Sequence, residues 1–166
     1  YIFSDRIIFQ TDEARAYFNK RIRKKGRVIP NPVTLNEKIN LVEREGKYKI
    51  SFVGRFDIKQ KRQDIMVYAF KKVLKTRNDV DLYFYGDGPD MKTIKDIVKK
   101  EKIEDNVFFM GKVNDVLREI RDSTIFILTS DYEGIPNSLM EAMSIGLPVI
   151  STDCSPGGAK LLIKHL

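Results

Sequence analysis

From Lys49 onward, short apolar runs alternate with longer stretches in which apolar residues recur every three or four positions. Runs of this length predict β-strands, and the longer periodic stretches predict amphipathic helices. The predicted strands are 49–54, 81–86, 106–111, 124–130 and 148–152, and the predicted helices are 61–76, 90–101, 114–121, 136–144 and 158–164. Strands that alternate with helices are typical of a Rossmann-like parallel sheet with helices on both faces. We therefore predict an α/β fold.

The pattern before Lys49 is less regular and predicts a separate organisation. We predict a short strand at 6–10 and a polar helix at 12–25. Segment 27–33 contains two prolines, which restrict their neighbours and donate no backbone hydrogen bond, so it is predicted to be an extended crossover. Segment 34–48 is polar and weakly patterned, and we interpret it as a linker to a domain that occupies 49–166.

Composition is compatible with a globular chain of ordinary size. The 166 residues are 42% hydrophobic, which is enough to form a core, and no apolar run is long enough to span a bilayer. Cys154 is the single cysteine, so an internal disulfide is excluded and a reducing compartment, the cytoplasm, is expected. Because the sequence starts with tyrosine and stops soon after the last predicted strand, we expect a piece of a longer protein.

The net charge of +7 is concentrated in one short segment. Residues 20–27 contain six lysines and arginines and no acid. Such a run is most often a solvated helix end, and peripheral contact with an anionic membrane surface is the next interpretation. Nucleic-acid binding ranks third because no aromatic residues are interleaved for base stacking, so we expect no nucleic-acid partner.

Ligands of open parallel sheets bind where the carboxyl ends of the strands lead into loops. Three of the predicted strands end on glycine, at Gly54, Gly86 and Gly111, and Gly88 follows in the turn "GDGP". Glycine admits close backbone approach, so these loops are candidates for a binding edge. The D-x-D sequence at 79–81 lies at the opposite, amino edge, and we interpret its acids as solvated turn residues instead of metal ligands.

The stretch "SDYEGIPNSLMEAMSIG" at 130–146 combines an expected anion site with two acids, Glu133 and Glu141. Pro136 suits the first position of a helix, and the amides of 137–139 are then expected to be unpaired and to favour a phosphate. Carboxylates beside a phosphate site are best suited to accept hydrogen bonds from neutral hydroxyls. A ligand with phosphate between two sugars, a nucleotide sugar, fits this arrangement.

These residues carry a family resemblance. The E-x7-E spacing of Glu133 and Glu141, the "VGRFDIKQKRQD" stretch with Arg55 and Lys61, and the "GDGP" turn together resemble retaining GT-B glycosyltransferases of family 4. The resemblance covers the chain from about Lys49 to its end and implies the C-terminal, donor-binding lobe of a GT-B fold. Residues 1–33 resemble the end of the N-terminal lobe and the "IPNP" crossover of the family.

The resemblance implies roles for individual residues. Arg55 and Lys61 would hold the donor diphosphate, Glu133 the hexose and Glu141 the ribose hydroxyls; Lys59 and Arg62 are close enough in sequence to compete with Lys61. Residues implied to line the nucleotide and phosphate site are Gly54, Gly86, Gly88, Lys112, Val113, Gly134, Pro136, Asn137, Ser138, Leu139 and Gly157. The "PGGAK" loop departs from the family, because Lys160 stands where many relatives have glutamate.

The implied activity is retaining transfer of a hexosyl unit from a UDP- or GDP-sugar, without a metal or other cofactor. The acceptor would be a glycan or a lipid-linked sugar in cell-surface polysaccharide or lipopolysaccharide synthesis. We expect the whole protein to be active, at the inner face of the membrane if the basic run binds there, and this segment alone to be inactive. Alternatives are a GT-B sugar-nucleotide epimerase, a non-catalytic nucleotide-binding module and a basic nucleic-acid binder.

Overall fold

A computed structural model of the chain describes residues 3–33 and 39–163. The first part is a two-stranded parallel sheet, β1 (Ile7–Phe9) and β2 (Gly26–Val28), joined by α1 (Asp12–Ala16) and α2 (Lys20–Lys25). The strand predicted at 6–10 is confirmed, whereas the prediction of one helix over 12–25 was wrong. The Asn19 side chain accepts a hydrogen bond from the Ile22 amide and starts a second helix, as asparagine often does.

The crossover prediction was also wrong at its first residues. Gly26–Val28 pairs in register with β1, and the Ile29 amide donates to the Phe9 carbonyl at 2.9 Å. The two prolines restrict the chain only beyond this point, so the extended crossover starts at Ile29. Within the segment interpreted as a linker, residues 39–47 contain no helix or strand, while 34–38 lie outside the described residues.

The main sheet confirms the α/β prediction. Its five strands are β3 (Tyr48–Val53), β4 (Val80–Tyr85), β5 (Val107–Gly111), β6 (Ile125–Leu128) and β7 (Val149–Ser151). All neighbours are parallel and the order is β5-β4-β3-β6-β7. The chain winds outward from β3 to β5 and then returns to the other side of β3. The loops after β3 and β6 therefore diverge at the carboxyl edge, where such sheets form a binding crevice.

The helices that cover the sheet are α3 (Ile58–Lys61), α4 (Gln63–Leu74), α5 (Met91–Lys100), α6 (Val116–Ile120), α7 (Asn137–Ser144) and α8 (Gly158–Leu162), with a 3-10 turn at Glu104–Asn106. The predicted helix 61–76 starts earlier and is interrupted, because Arg62 adopts a left-handed conformation with φ of 49°. The Thr129 hydroxyl donates to the carbonyls of Lys61 and Arg62 at this break. None of the described helices is long and apolar enough to cross a membrane.

Alternate residues of the strands supply two cores, one on each face. Phe52 and Phe84 pack with α4 and α5, whereas Tyr85, Phe126 and Leu128 pack with α7 and its neighbours. This alternation is the pleat of strands that are buried on both sides. Cys154 is 1% exposed and lies within the second core.

A charged network lies at the amino edge of the main sheet. Lys49 is 4% exposed, and its Nζ donates to Asp122 Oδ1 at 2.6 Å and to the Glu119 carbonyl at 2.7 Å. Arg44 donates to the other oxygen of Asp122 at 2.7 Å. The Lys49 ammonium also lies 5.0 Å from the centre of the Tyr83 ring. The buried ammonium is therefore matched by one carboxylate that Arg44 holds in place.

The D-x-D sequence at this edge does not consist of two solvated acids. Asp79 is exposed and paired with Arg77, as expected for a turn residue. Asp81 is 6% exposed inside β4, where it accepts hydrogen bonds from Lys47 and Asn106. The interpretation was wrong for Asp81, because its carboxylate is buried and bound by Lys47 and Asn106 and is not solvated.

Candidate functional site

The crevice between β3 and β6 brings together two residues that are far apart in sequence. The Lys61 ammonium forms an ion pair with Glu133 Oε1, and the Ser130 hydroxyl donates to the same oxygen at 2.7 Å. The side chain of Lys61 is 16% exposed and that of Glu133 is 8% exposed. A cation and a carboxylate are thus held at the carboxyl edge of the sheet, largely shielded from water.

The two other cations considered for the role of Lys61 are placed differently. Arg62 forms hydrogen bonds with both carboxylate oxygens of Asp131, at 3.2 and 2.9 Å, and with Asp64. Lys59 is exposed on α3. Arg55 is also exposed, and no ion pair involves it in the described part of the chain. The structure therefore joins Lys61, and not Lys59 or Arg62, to Glu133.

The start of α7 offers backbone donors, although fewer than predicted. Pro136 precedes the helix as its N-cap and is not its first residue. The Leu139 amide donates to the Pro136 carbonyl at 3.1 Å, so the prediction that it is unpaired was wrong. For the amides of Asn137 and Ser138 no acceptor lies within residues 3–33 and 39–163. These two amides, at the positive end of the helix dipole, remain open for an anion.

Glu141 lies about one turn into α7 and is half-buried. Burial raises the pKa of its carboxyl group above the ordinary value. No hydrogen bond or ion pair of this carboxylate occurs in the part of the chain that the structure describes. Burial without a protein partner disfavours the ionised form of this carboxyl group. Groups whose pKa is shifted in this way are often found at ligand-binding sites.

The glycines at the carboxyl edge allow neighbouring loops to touch. A side chain at Gly86, whose φ is +126°, would collide with the Gly54 carbonyl, and one at Gly88 would collide with the backbone of Phe56. The Phe56 amide donates to the Asp87 carbonyl at 3.0 Å. These glycines are thus explained by contacts between loops, and their contact with a ligand stays a prediction.

Lys112 and Val113 follow β5 at the same edge, beside the loop after β4. The Gly86 amide donates to the Gly111 carbonyl at 2.8 Å, which holds the two loops together. Lys112 is exposed, whereas Val113 packs against the second core. Contact of these two residues with a nucleotide stays a prediction.

The loop after β7 is bound to the Glu133 loop. The Glu133 amide donates to the Ser155 carbonyl at 2.7 Å, and the Ser155 amide donates to the Asp131 carbonyl at 3.2 Å. A side chain at Gly158 would collide with the Gly134 carbonyl. Gly157 instead faces α1, since a Cβ there would lie 3.1 Å from Glu13 Cδ. The "PGGAK" loop therefore supports the backbone that carries Glu133, while Lys160 is exposed.

Sequence reasoning missed the contribution of the first 33 residues. Thr11 is fully buried and donates to the Pro156 carbonyl at 3.2 Å, and Gln10 accepts a hydrogen bond from the Ile135 amide at 3.1 Å. An open cleft of about 720 Å³ lies between α1 and the loops that contain Tyr132 and Pro156. Gln10 and Thr11 follow a short strand, and this was the signal that could have placed them at a binding edge.

Comparisons with known proteins agree with this architecture. Residues 34–166 match the family described as "Glycosyl transferases group 1". An uncharacterized glycosyltransferase of Methanocaldococcus jannaschii is 30% identical over 100% of this chain and 44% of its own length. The lipopolysaccharide 1,6-galactosyltransferase of Salmonella typhimurium is 33% identical over 78% of this chain and 37% of its own.

Solved structures show the same arrangement of strands and helices. The lipopolysaccharide outer core galactosyltransferase WaaB has a TM-score of 0.77 and 28% identity, covering 99% of this chain and 47% of its own. Anabaena HepE, solved with UDP and glucose, has a TM-score of 0.85 at 19% identity, covering 99% of this chain and 48% of its own. The chain spans less than half the length of these relatives. It belongs to the glycosyl transferases group 1 family, and its fold is that of GT-B glycosyltransferases.

Proposed function

We propose that the domain binds a nucleotide-sugar donor and that the whole protein transfers the hexosyl unit, with retention of anomeric configuration, to a glycan or lipid-linked acceptor. The observation that carries this proposal is the meeting of Lys61, Glu133 and the open start of α7 at the crevice between β3 and β6. Residues 1–33 and 34–48 would then be the end of the N-terminal lobe and the linker, and transfer would need the rest of the protein.

Each part of the crevice suits one part of such a donor. Lys61 has three donor hydrogens, so it can keep Glu133 and still bind a phosphate oxygen. Together with Arg55 and the amides of Asn137 and Ser138, it would stabilise the negative charge that develops on the departing diphosphate. This role of fixed cations and dipoles is why we propose no metal cofactor. Glu133 would accept hydrogen bonds from the hexose and Glu141 from the ribose.

The names of the relatives support a donor and a pathway class. One is a poly(glycerol-phosphate) alpha-glucosyltransferase of Bacillus subtilis, 33% identical over 70% of this chain. The galactosyltransferase of Salmonella acts on lipopolysaccharide, and HepE was solved with UDP-glucose. We therefore propose a UDP-sugar as the first donor to test, ahead of a GDP-sugar, and cell-surface polysaccharide or lipopolysaccharide as the product.

The proposal is tested by thermal shift and calorimetry on the 166-residue chain with UDP, GDP and ADP and their hexose conjugates. We expect one nucleoside diphosphate to raise the melting temperature, because a ligand that binds only the folded state stabilises it. A radiolabelled-donor assay on the whole protein then tests transfer. If none of the six ligands raises the melting temperature, the proposal is contradicted.

Glu141 provides a first residue-level prediction. Glu141→Ala should weaken binding of the preferred nucleoside diphosphate by about 1–3 kcal/mol, the value of a charge-assisted hydrogen bond. The fold should remain intact because the carboxylate has no protein partner within the described residues and its pKa is already raised by burial. Calorimetry measures the loss, and Glu104→Ala, on the exposed 3-10 turn, is the control. Unchanged affinity would remove Glu141 from the proposed site.

The basic run at 20–27 provides a second prediction. Four of its cations, Lys20, Arg21, Arg23 and Lys24, are exposed on α2. We propose that they attach the protein to the anionic inner face of the cytoplasmic membrane, each contributing up to about 1 kcal/mol near the surface. Sedimentation with vesicles rich in phosphatidylserine should fall when Arg23 and Lys24 become glutamine, and should weaken with salt. Equal sedimentation of the substituted and unsubstituted chains would leave the run as a solvated helix.

A further inference from the structure

Three carboxamide side chains form a series of hydrogen bonds that ends at the start of α7. The Ile135 amide donates to Gln10 Oε1 at 3.1 Å, and Gln10 Nε2 donates to Asn31 Oδ1 at 2.9 Å. Asn31 Nδ2 then donates to Asn137 Oδ1 at 3.0 Å. Gln10 follows β1 and Asn31 follows β2 at the same edge of their parallel sheet. The first 33 residues are thus connected to the first residue of α7.

The Ile135 amide decides which group donates and which accepts in each of these hydrogen bonds. A backbone amide can only donate, so the Gln10 atom that faces Ile135 must be the oxygen. Gln10 must then donate to Asn31, and Asn31 must donate to Asn137. The Asn137 oxygen therefore accepts from Asn31, and its NH2 group remains available as a hydrogen-bond donor. No acceptor for that group lies within residues 3–33 and 39–163.

A glycine makes this approach feasible. A Cβ at Gly134 would lie 2.0 Å from Gln10 Oε1, so the present position of the Gln10 carboxamide requires that residue 134 has no side chain. Gly134 follows Glu133 directly in the "EGIPN" segment. A substitution at Gly134 would therefore displace the carboxamide of Gln10, a residue 124 positions earlier in the sequence.

We propose that Gln10 and Asn31 are positioning residues that keep the Asn137 side chain as a hydrogen-bond donor beside the open amides of Asn137 and Ser138. This inference rests on the proposed function, in which a diphosphate binds at the start of α7. The ligand group is a phosphate, because the NH2 group and the two amides are all donors and the helix dipole favours a negative charge there.

Gln10→Glu tests whether Gln10 and Asn31 act as the donors in this series of hydrogen bonds. A glutamate side chain at position 10 still accepts from the Ile135 amide but cannot donate, so Asn31 must turn to donate to it. Asn137 must then turn as well and present its oxygen to the phosphate. We expect affinity for inorganic pyrophosphate and for UDP or GDP, whichever binds, to fall about tenfold or more. Affinity for the matching nucleoside, which has no phosphate, should be unchanged and reports that the site is folded.

The added negative charge is controlled by a double-mutant cycle with Asn137→Ala. In that background the glutamate at position 10 is still charged, but the Asn137 carboxamide that would contact the phosphate is missing. Gln10→Glu should therefore change the diphosphate affinity less than about threefold. An equal loss in both backgrounds would overturn the inference, because it would show that charge alone acts. Full diphosphate affinity of Gln10→Glu would overturn it too. If the unsubstituted chain binds neither pyrophosphate nor any nucleotide, the proposed function fails and this inference with it.

Discussion

Lys61→Ala is expected to lower the free energy of unfolding by about 3 kcal/mol, the lower end of the cost of breaking a buried ion pair. The substitution leaves the Glu133 carboxylate, 8% exposed, with the Ser130 hydroxyl as its remaining side-chain donor in the described structure. Urea denaturation measures the change. Adding Glu133→Gln should recover most of the loss, since a neutral amide needs no counter-charge. A double variant as unstable as Lys61→Ala would show that the pair does not explain the loss.

The same substitution should affect phosphate binding selectively. At a temperature where the variant is folded without denaturant, affinity for the preferred nucleoside diphosphate should fall about 10-fold to 100-fold, as for the loss of a charge-assisted hydrogen bond. Affinity for the nucleoside should not change. Lys59→Ala is the matched control, because Lys59 lies on the same helix and is exposed. Equal losses for nucleoside and diphosphate would place Lys61 outside the phosphate site.

Asp122→Asn is expected to have a comparable effect on stability, about 3 kcal/mol at neutral pH, and none on the site directly. The substitution leaves the Lys49 ammonium, 4% exposed, without its carboxylate. The control is Asp79→Asn, which makes the same chemical change in an exposed pair with Arg77 and should alter stability little. Similar behaviour of the two variants would contradict the assignment of Lys49 and Asp122 as a buried pair.

The pH dependence of this pair has a defined sign. Burial by itself would raise the pKa of Asp122, but hydrogen bonds and charge from Lys49 and Arg44 outweigh it and lower the pKa below the ordinary value. A carboxylate with a lowered folded-state pKa stabilises the protein above its unfolded pKa and loses that contribution as pH falls. The stability difference between the unsubstituted chain and Asp122→Asn should therefore shrink below about pH 4. A difference that stays constant down to about pH 2 would contradict this.

The sequence predicted the main sheet well because the signal is local. Each of the five strands is an apolar run, and burial on both faces makes such runs continuous. The positions of Lys61 and Glu133 at the carboxyl edge followed from the strand that precedes each of them. The ends of helices were predicted less well. Arg62 interrupts one helix because Thr129, distant in sequence, binds the carbonyls at the break.

What the sequence determined by itself is the alternation of strands and helices from Lys49 onward, the edge at which the candidate residues lie, and the E-x7-E resemblance to a glycosyltransferase family. Tertiary structure alone decided that Lys61 pairs with Glu133, that Asp81 is buried, and that Gln10 and Asn31 reach Asn137. These contacts join residues 72, 21 and 106 positions apart, as for Lys61 with Glu133, Gln10 with Asn31 and Asn31 with Asn137. Periodicity describes which face of an element is buried, but partners at such separations are chosen only when the strands pair and the loops at their ends meet.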